Sequence, residues 1–163
     1  MMVRYPSPAC VFKDAIEQTH CLKFREGLSV VKRGEGHNTI TAKDNRDLLG
    51  GACIDDDCKP AEPHASRWDY VLGYNSSNQT LAFFVEEHGA SSHNVSEMEK
   101  KLDWLEAFLN RPPNQALSGL ARKYYWVQHG KYRIPEHTPQ YKRLVWLRNK
   151  RKLNGPVPRL CLS

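Results

Sequence analysis

The stretch TLAFFVEEHGASSH, residues 80–93, decides the predicted fold. Its apolar part, Leu81 to Val85, predicts a buried strand, and the GASSH segment after His88 predicts a turn. Side chains alternate faces along a strand, so Glu86 and His88 are expected on one face and Glu87 on the other. A carboxylate and an imidazole side by side at the end of a buried strand indicate a metal site or an acid–base site.

The segments on either side of this stretch predict its neighbours. Residues 67–74 (RWDYVLGY) are rich in aromatic and β-branched residues and predict a strand. The polar residues 75–79 then predict a turn that makes the two strands an antiparallel pair. Residues 94–110 carry apolar residues at helical spacing and end before two prolines, which predicts a helix. Lys101 lies at the inward edge of that helix, whereas Lys100 projects towards water.

The rest of the chain completes an α/β (α+β) sandwich, with a mixed central sheet of four to six strands flanked by helices. We expect a single domain over residues 1–163. The remaining predicted elements are a helix at 8–19, a hairpin formed by 28–32 and 37–42, a polar connection at 43–50, a strand at 123–130 and a basic helix at about 140–152.

The composition is that of a globular protein, with 163 residues, 40% of them hydrophobic and 26% charged. No apolar run reaches the ~18–20 residues of a membrane span, so we expect no membrane partner. The first residues lack a continuous hydrophobic segment, and the five cysteines are scattered, which favours reduced thiols in the cytoplasm. A net charge of +6 favours an acidic partner, most commonly nucleic acid; a protein partner and any oligomeric state remain open.

One group of residues predicts metal chemistry. If the strands at 67–74 and 80–88 are neighbours, Asp69 converges with Glu86 and His88 at one sheet edge. Carboxylates with an imidazole suit a divalent ion such as Mg²⁺ or Mn²⁺, which activates water and stabilises a charged phosphate in hydrolysis. The structural alternative makes Asp69 a loop cap or ion-pair partner and leaves Glu86 and His88 solvated.

The segments RWDYVLGY and AFFVEEHGA, followed by a helix and a strand, resemble the core of the PD-(D/E)XK, or restriction-endonuclease-like, nucleases over roughly residues 8–130. The resemblance implies Asp69 and Glu86 as metal ligands, with Glu17 or Asp14 of the first helix as an accessory ligand. His88 stands where that family has a lysine, and Lys101 on the following helix is the expected substitute. The pieces WDYVLGY, VEEH and KLDWL also resemble an uncharacterised bacterial protein family.

Three other patterns in the sequence do not predict a catalytic or metal site. The run Asp55 to Asp57 is more consistent with a solvated turn than with a metal site. Cys53, Cys58 and His64 do not have the spacing of a zinc site and lack a fourth ligand. No Gly-x-Ser-x-Gly elbow or phosphate-binding glycine loop occurs.

The basic helix near the C-terminus has the composition of a phosphate-binding surface. Its alternative is a solvated charged face. The candidate nucleic-acid contacts are Lys142, Arg143, Arg148, Lys150 and Arg151.

Two functions follow from the sequence. The first is a Mg²⁺-dependent endonuclease acting on nucleic-acid phosphodiesters, with Asp69, Glu86, His88 and Lys101 as catalytic residues. The alternative is a non-catalytic binding or regulatory protein, such as an antitoxin-like partner, on a degenerate nuclease fold.

Overall fold

A five-stranded mixed sheet forms the centre of the structure, a computed structural model that describes residues 4–31 and 39–163. The helices are α1 (Pro8–Gln18), α2 (Ile54–Cys58), α3 (Ser92–Leu109), α4 (Gln115–Ser118) and α5 (Pro139–Arg151). The strands are β1 (Ile40–Ala42), β2 (Leu48–Cys53), β3 (Tyr70–Ser76), β4 (Gln79–Ser91), β5 (Ala121–Arg133), β6 (Leu153–Val157) and β7 (Leu160–Leu162). Short 3₁₀ turns lie at Asn45–Asp47 and Pro112–Asn114.

The order of strands in the main sheet is β2-β3-β4-β5-β6. β2, β3 and β4 are antiparallel, while β5 runs parallel to β4 and β6 parallel to β5. The predicted pairing of β3 with β4 is confirmed, and the turn between them is Ser77–Asn78. Both turn residues have positive φ, +50° and +62°, as in the tight turns that suit the twist of a hairpin.

The helices all pack on one face of this sheet, and the other face is covered differently. Ala82 and Phe84 of β4 face the helical layer, whereas Leu81, Phe83 and Val85 face the opposite side. On that side β1 and β7 form a two-stranded parallel sheet. The predicted mixed sheet with flanking helices is therefore present. No helix among the residues that the structure describes has the length and apolar character needed to cross a bilayer.

Local sequence explains where α1 and α3 begin and which side of each is buried. α1 starts at Pro8 behind Ser7, whose side chain accepts from the Cys10 amide, and it buries Phe12, Ala15 and Ile16. α3 starts with a capping box in which Ser91 and Asn94 each bond the other's backbone. Its buried face has the predicted stripe, Val95, Met98, Leu102, Leu105 and Leu109. The stripe fixes which side of α3 meets the sheet.

Three predicted elements were wrong. In the predicted 28–42 hairpin, residues 28–31 form a turn rather than a strand, and Ile40–Ala42 pairs in parallel with β7. The described parts of the hairpin therefore do not pair with each other. Residues 32–38 lie outside the described ranges. The connection at 43–50 contains the start of β2 at Leu48. β4 continues to Ser91 instead of turning at Gly89, because residues 86–91 keep β5 as a partner.

The expectation of reduced thiols is wrong for two of the five cysteines. Cys21 and Cys58 form a disulfide that joins the segment after α1 to α2, while Cys10, Cys53 and Cys161 are free thiols. Since Cys58 is bonded to Cys21, it is not a zinc ligand in this state. The structure thus removes the zinc alternative at this position.

The acidic run is also not a solvated turn. Asp55 to Asp57 lie in α2, where Asp55 pairs with Arg67 at 2.9 Å and Asp57 with Arg25 at 2.9 Å. Asp57 also accepts from the Lys23 amide. These bonds tie α2 both to the segment after α1 and to the segment that leads into β3.

Candidate functional site

Asp69 and Glu86 meet where β3 begins and β4 leaves the sheet core. The register pairs Tyr70 with Val85, so Asp69 lies across from Glu86. The Asp69 amide donates to Glu86 Oε2 at 2.9 Å, and the Glu87 amide donates to Asp69 Oδ2 at 2.9 Å. The two carboxylates are therefore held by each other's strand. Their predicted convergence at one sheet edge is present, while their role as metal ligands stays a prediction.

Lys101 reaches this pair from α3. Its Nζ lies 2.6 Å from Glu86 Oε1 and donates to the Arg67 carbonyl oxygen at 2.9 Å. The contact with Glu86 Oε1 is a short ion pair, while Glu86 Oε2 accepts from the Asp69 amide. Lys100 is exposed, as the helical spacing predicted. A fixed cation thus stands beside the buried carboxylate.

Burial dominates the electrostatics of the carboxylates. Glu86 is 0% exposed. Burial, and then repulsion from the Asp69 carboxylate, raises the pKa of Glu86 to about 8, although Lys101 acts in the opposite direction. Burial also raises the pKa of Asp69. One cation does not balance the buried carboxylate of Glu86 together with the partly buried carboxylate of Asp69, so the site favours uptake of a further positive charge, either a proton or a metal ion.

His88 lies on the same face as Glu86, as alternation along β4 predicted. Its Nδ1 is 3.8 Å from Glu86 Oε1, and its Nε2 is 2.7 Å from Glu97 Oε2. The Asn94 side chain donates to the same Glu97 oxygen at 2.8 Å. His88 and then Asn94 lower the pKa of Glu97. The imidazole is therefore held between the buried carboxylate and an ionised glutamate.

Glu97 and Asn94 were missed by the sequence analysis as site residues. They are three residues apart in the first turn of α3, a spacing that brings side chains together on a helix. From the sequence, this spacing predicts only a helix cap, a role that Asn94 also has in the structure. Only the position of His88 against this turn shows their second role.

Glu87 faces the opposite side of the sheet, again as alternation predicted. Its Oε2 lies 3.1 Å from Nε2 of His129 on β5, while its Oε1 is buried and has no donor within the described ranges. Glu87 takes part in the site only through its amide, which holds Asp69.

The accessory ligand of the first helix is not brought to this site by any contact seen in the described chain. Glu17 is 54% exposed and lies 3.9 Å from Lys13 on the same helix, and Asp14 is exposed. The assignment of either residue as a ligand gains no support from the geometry.

The basic residues of α5 divide into two groups. Arg143 pairs with Glu99 and stacks on Trp146, while Arg151 pairs with Asp103 and Glu106 of α3. Arg148 donates to the Gly155 carbonyl oxygen. Of the five predicted contacts only Lys142 and Lys150 are exposed without a partner in the described part of the chain. The guanidinium groups bind α5 to the rest of the protein.

The described residues contain no group of three or more histidine, cysteine or carboxylate side chains placed to hold a metal ion. A metal at this site would have Asp69 and Glu86 as its side-chain ligands. Mg²⁺ is commonly bound in this way, through one or two carboxylates together with water and substrate phosphate.

Comparison with family models, curated proteins and solved structures finds no match to this chain.

Proposed function

We propose that this protein is a metal-dependent nuclease acting on nucleic-acid phosphodiesters, on a restriction-endonuclease-like core. One observation carries the proposal. Lys101 crosses from α3 to within 2.6 Å of Glu86, at the point where Glu86 is bonded to Asp69. Two carboxylates with one lysine are the set of groups that the resemblance to the PD-(D/E)XK nucleases implies, with the lysine moved from position 88 to the helix.

The order of elements supports the same proposal. α1 precedes the antiparallel strands β2, β3 and β4, and α3 then leads to β5, which is parallel to β4. The Asp strand, the Glu strand, a helix and a further strand follow one another as in the pattern of that superfamily. Glu17 is the member of the implied set that receives no such support.

The residues fit a hard divalent ion such as Mg²⁺ or Mn²⁺. Carboxylate oxygens are the preferred ligands of such ions, and Asp69 and Glu86 bring two carboxylates together where β3 meets β4. A second positive charge stabilises two carboxylates that lie close together and are largely removed from water. When bound, the ion supplies Lewis-acid charge at the phosphate and lowers the pKa of water.

Each side chain of the site has a separate role in the proposed reaction. Asp69 and Glu86 supply the negative charge that would hold the ion. Lys101, held at the Arg67 carbonyl, keeps a cation beside the place where a phosphate would gain negative charge in the transition state. His88 is oriented through its Nε2 by Glu97, which leaves Nδ1 on the side of Glu86.

Cleavage assays on purified protein test this proposal. DNA and RNA substrates are incubated with Mg²⁺ or Mn²⁺, and wild type is compared with Asp69→Asn, Glu86→Gln and Lys101→Met. Glu17→Gln is the matched control, because it removes a surface carboxylate. We expect metal-dependent cleavage that each site variant reduces at least ~100-fold, in the range found when an electrostatic contact to the transition state is lost. Absence of cleavage by wild type, or cleavage that Asp69→Asn and Glu86→Gln leave unchanged, contradicts the proposal.

A second candidate is a non-catalytic binding or regulatory protein, for example an antitoxin-like partner. Two observations favour it. Lys101 already neutralises part of the negative charge of Asp69 and Glu86, and backbone amides donate hydrogen bonds to both carboxylates. This candidate predicts a protein complex on pull-down and no thermal shift on adding Mg²⁺ or Mn²⁺. The nuclease predicts a metal-dependent thermal shift that Asp69→Asn removes.

A further inference from the structure

β4 and β5 extend beyond the other strands of the sheet. Pairing of β3 with β4 stops at Val85, and pairing of β6 with β5 stops at Val127. Beyond these points β4 and β5 pair with each other as far as Ser91 and Arg133. We call this two-stranded extension, residues 87–91 and 128–133, the arm.

The tip of the arm is basic and aromatic. Lys131, Tyr132 and Arg133 are exposed, and Tyr132, at 42%, is one of three large hydrophobic side chains that are exposed among the described residues. The side chains of Lys131, Tyr132 and Arg133 form no hydrogen bond or ion pair with another residue in the described ranges. In contrast to the arginines of α5, their polar groups are free for a ligand. Lys131 and Arg133 therefore form a cationic surface that no carboxylate of the described residues neutralises through an ion pair.

The arm starts at the carboxylate site. Glu86 pairs with Trp126, and Ser91, five residues along β4, pairs with Arg133. At ~3.3 Å for each residue of a strand, the tip lies roughly 16 Å from the carboxylates. That length corresponds to about five stacked nucleotides at ~3.4 Å each. One short strand of nucleic acid can thus reach both places.

We infer that the arm binds single-stranded nucleic acid, with Lys131 and Arg133 on its phosphates and Tyr132 stacked on a base. This inference rests on the proposed nuclease function and names the surface that positions its substrate. Lysine and arginine attract phosphates regardless of sequence. An exposed aromatic ring binds an unpaired base because every base has a face on which to stack, whereas paired bases in a duplex are already stacked. The inferred nucleic-acid surface therefore lies on β5, whereas the sequence predicted one on α5.

Binding is tested by fluorescence anisotropy in EDTA, with labelled oligothymidylate, oligouridylate and duplex DNA. The double variant Lys131→Ala/Arg133→Ala is compared with Lys142→Ala/Lys150→Ala, which removes the same charge from exposed positions of α5. We expect the arm variant to reduce the slope of log affinity against log salt by about 1.4, or ~0.7 for each phosphate contact on a single strand. The α5 variant should keep the wild-type slope.

The single variant Tyr132→Ala tests the stacking. It should weaken binding to single strands about 5-fold or more, the lower end for one base on an aromatic ring, and leave duplex binding unchanged. Preference for oligothymidylate or oligouridylate identifies DNA or RNA as the ligand, and either supports the inference.

Three results overturn the inference: no binding by wild type, equal losses in the arm and α5 variants, or no effect of the arm variant. Because the assay contains no divalent metal, it is independent of cleavage. If the protein cleaves nucleic acid but the arm variant binds as wild type does, the nuclease function is supported and the arm inference is wrong. If the protein binds single strands through the arm but never cleaves them, the arm inference is supported and the nuclease function is wrong.

Discussion

Replacing Glu86 by glutamine should change how the stability of the protein depends on pH. The folded-state pKa of Glu86 is raised to about 8 from an ordinary value of 4.5. The folded chain therefore keeps a proton that the unfolded chain has released in this interval. The stability that this proton contributes is fully present below pH 4.5 and is lost as the pH rises through about 8. Glutamine has no such proton to lose.

The magnitude follows from the separation of the two pKa values. About 3.5 pH units at ~1.4 kcal/mol for each unit correspond to about 5 kcal/mol for this fully buried group. The free energy of unfolding of Glu86→Gln, relative to wild type, should therefore rise by up to about 5 kcal/mol between acid and alkaline pH. The glutamine variant should be the more stable protein at the alkaline end.

Urea unfolding in EDTA, followed by fluorescence of the buried Trp68 and Trp126, measures this difference from about pH 5 to about pH 9. Glu17→Gln is the control, because its carboxylate is 54% exposed and pairs only with Lys13 in the described chain. A difference between Glu86→Gln and wild type that stays constant over this range would refute the assignment of Glu86 as a buried group that protonates near neutrality.

Two further predictions concern the fold. Gly73→Ala should lower the free energy of unfolding by about 2 kcal/mol in urea, because its Cβ would lie 2.6 Å from the buried Phe12 ring; an unchanged midpoint would contradict this packing. Glu62→Gln should cost about 1 kcal/mol near pH 6, since Arg111 donates to both oxygens of a partly exposed carboxylate. Arg111 lowers the pKa of Glu62 below its ordinary 4.5. The loss of stability caused by Glu62→Gln should therefore vanish as the pH falls below about 4.5. A loss that persists in acid would exclude the ion pair as its cause.

The elements next to the site could be predicted because their signals are local. The apolar run before Glu86, the polar turn after Asn75 and the heptad-like stripe of α3 each determine their own structure. Strand alternation then separated Glu86 and His88 from Glu87, and helical spacing turned Lys101 inward. Together these local rules placed three of the four proposed catalytic residues relative to the sheet.

The elements that were not predicted depend on contacts between distant residues. β1 pairs with β7 across more than a hundred residues, and no local pattern encodes this parallel contact. β2 contains Gly50 and Gly51, which have low strand propensity; Gly51 is required because a Cβ there would lie 2.6 Å from the Val71 carbonyl oxygen. The disulfide and the ion pairs of α5 likewise join segments whose proximity only the fold creates.

Binding of Mn²⁺ in solution tests the central claim most directly. Electron paramagnetic resonance of Mn²⁺ titrated with wild type, Asp69→Asn and Glu86→Gln, with a short oligonucleotide present, separates a metal site from an internal ion pair. We expect wild type to remove Mn²⁺ from the free pool and both variants to lose this binding, while Glu17→Gln keeps it. Wild type that leaves Mn²⁺ free, or variants that bind it as wild type does, would contradict the proposal that Asp69 and Glu86 hold a catalytic metal ion.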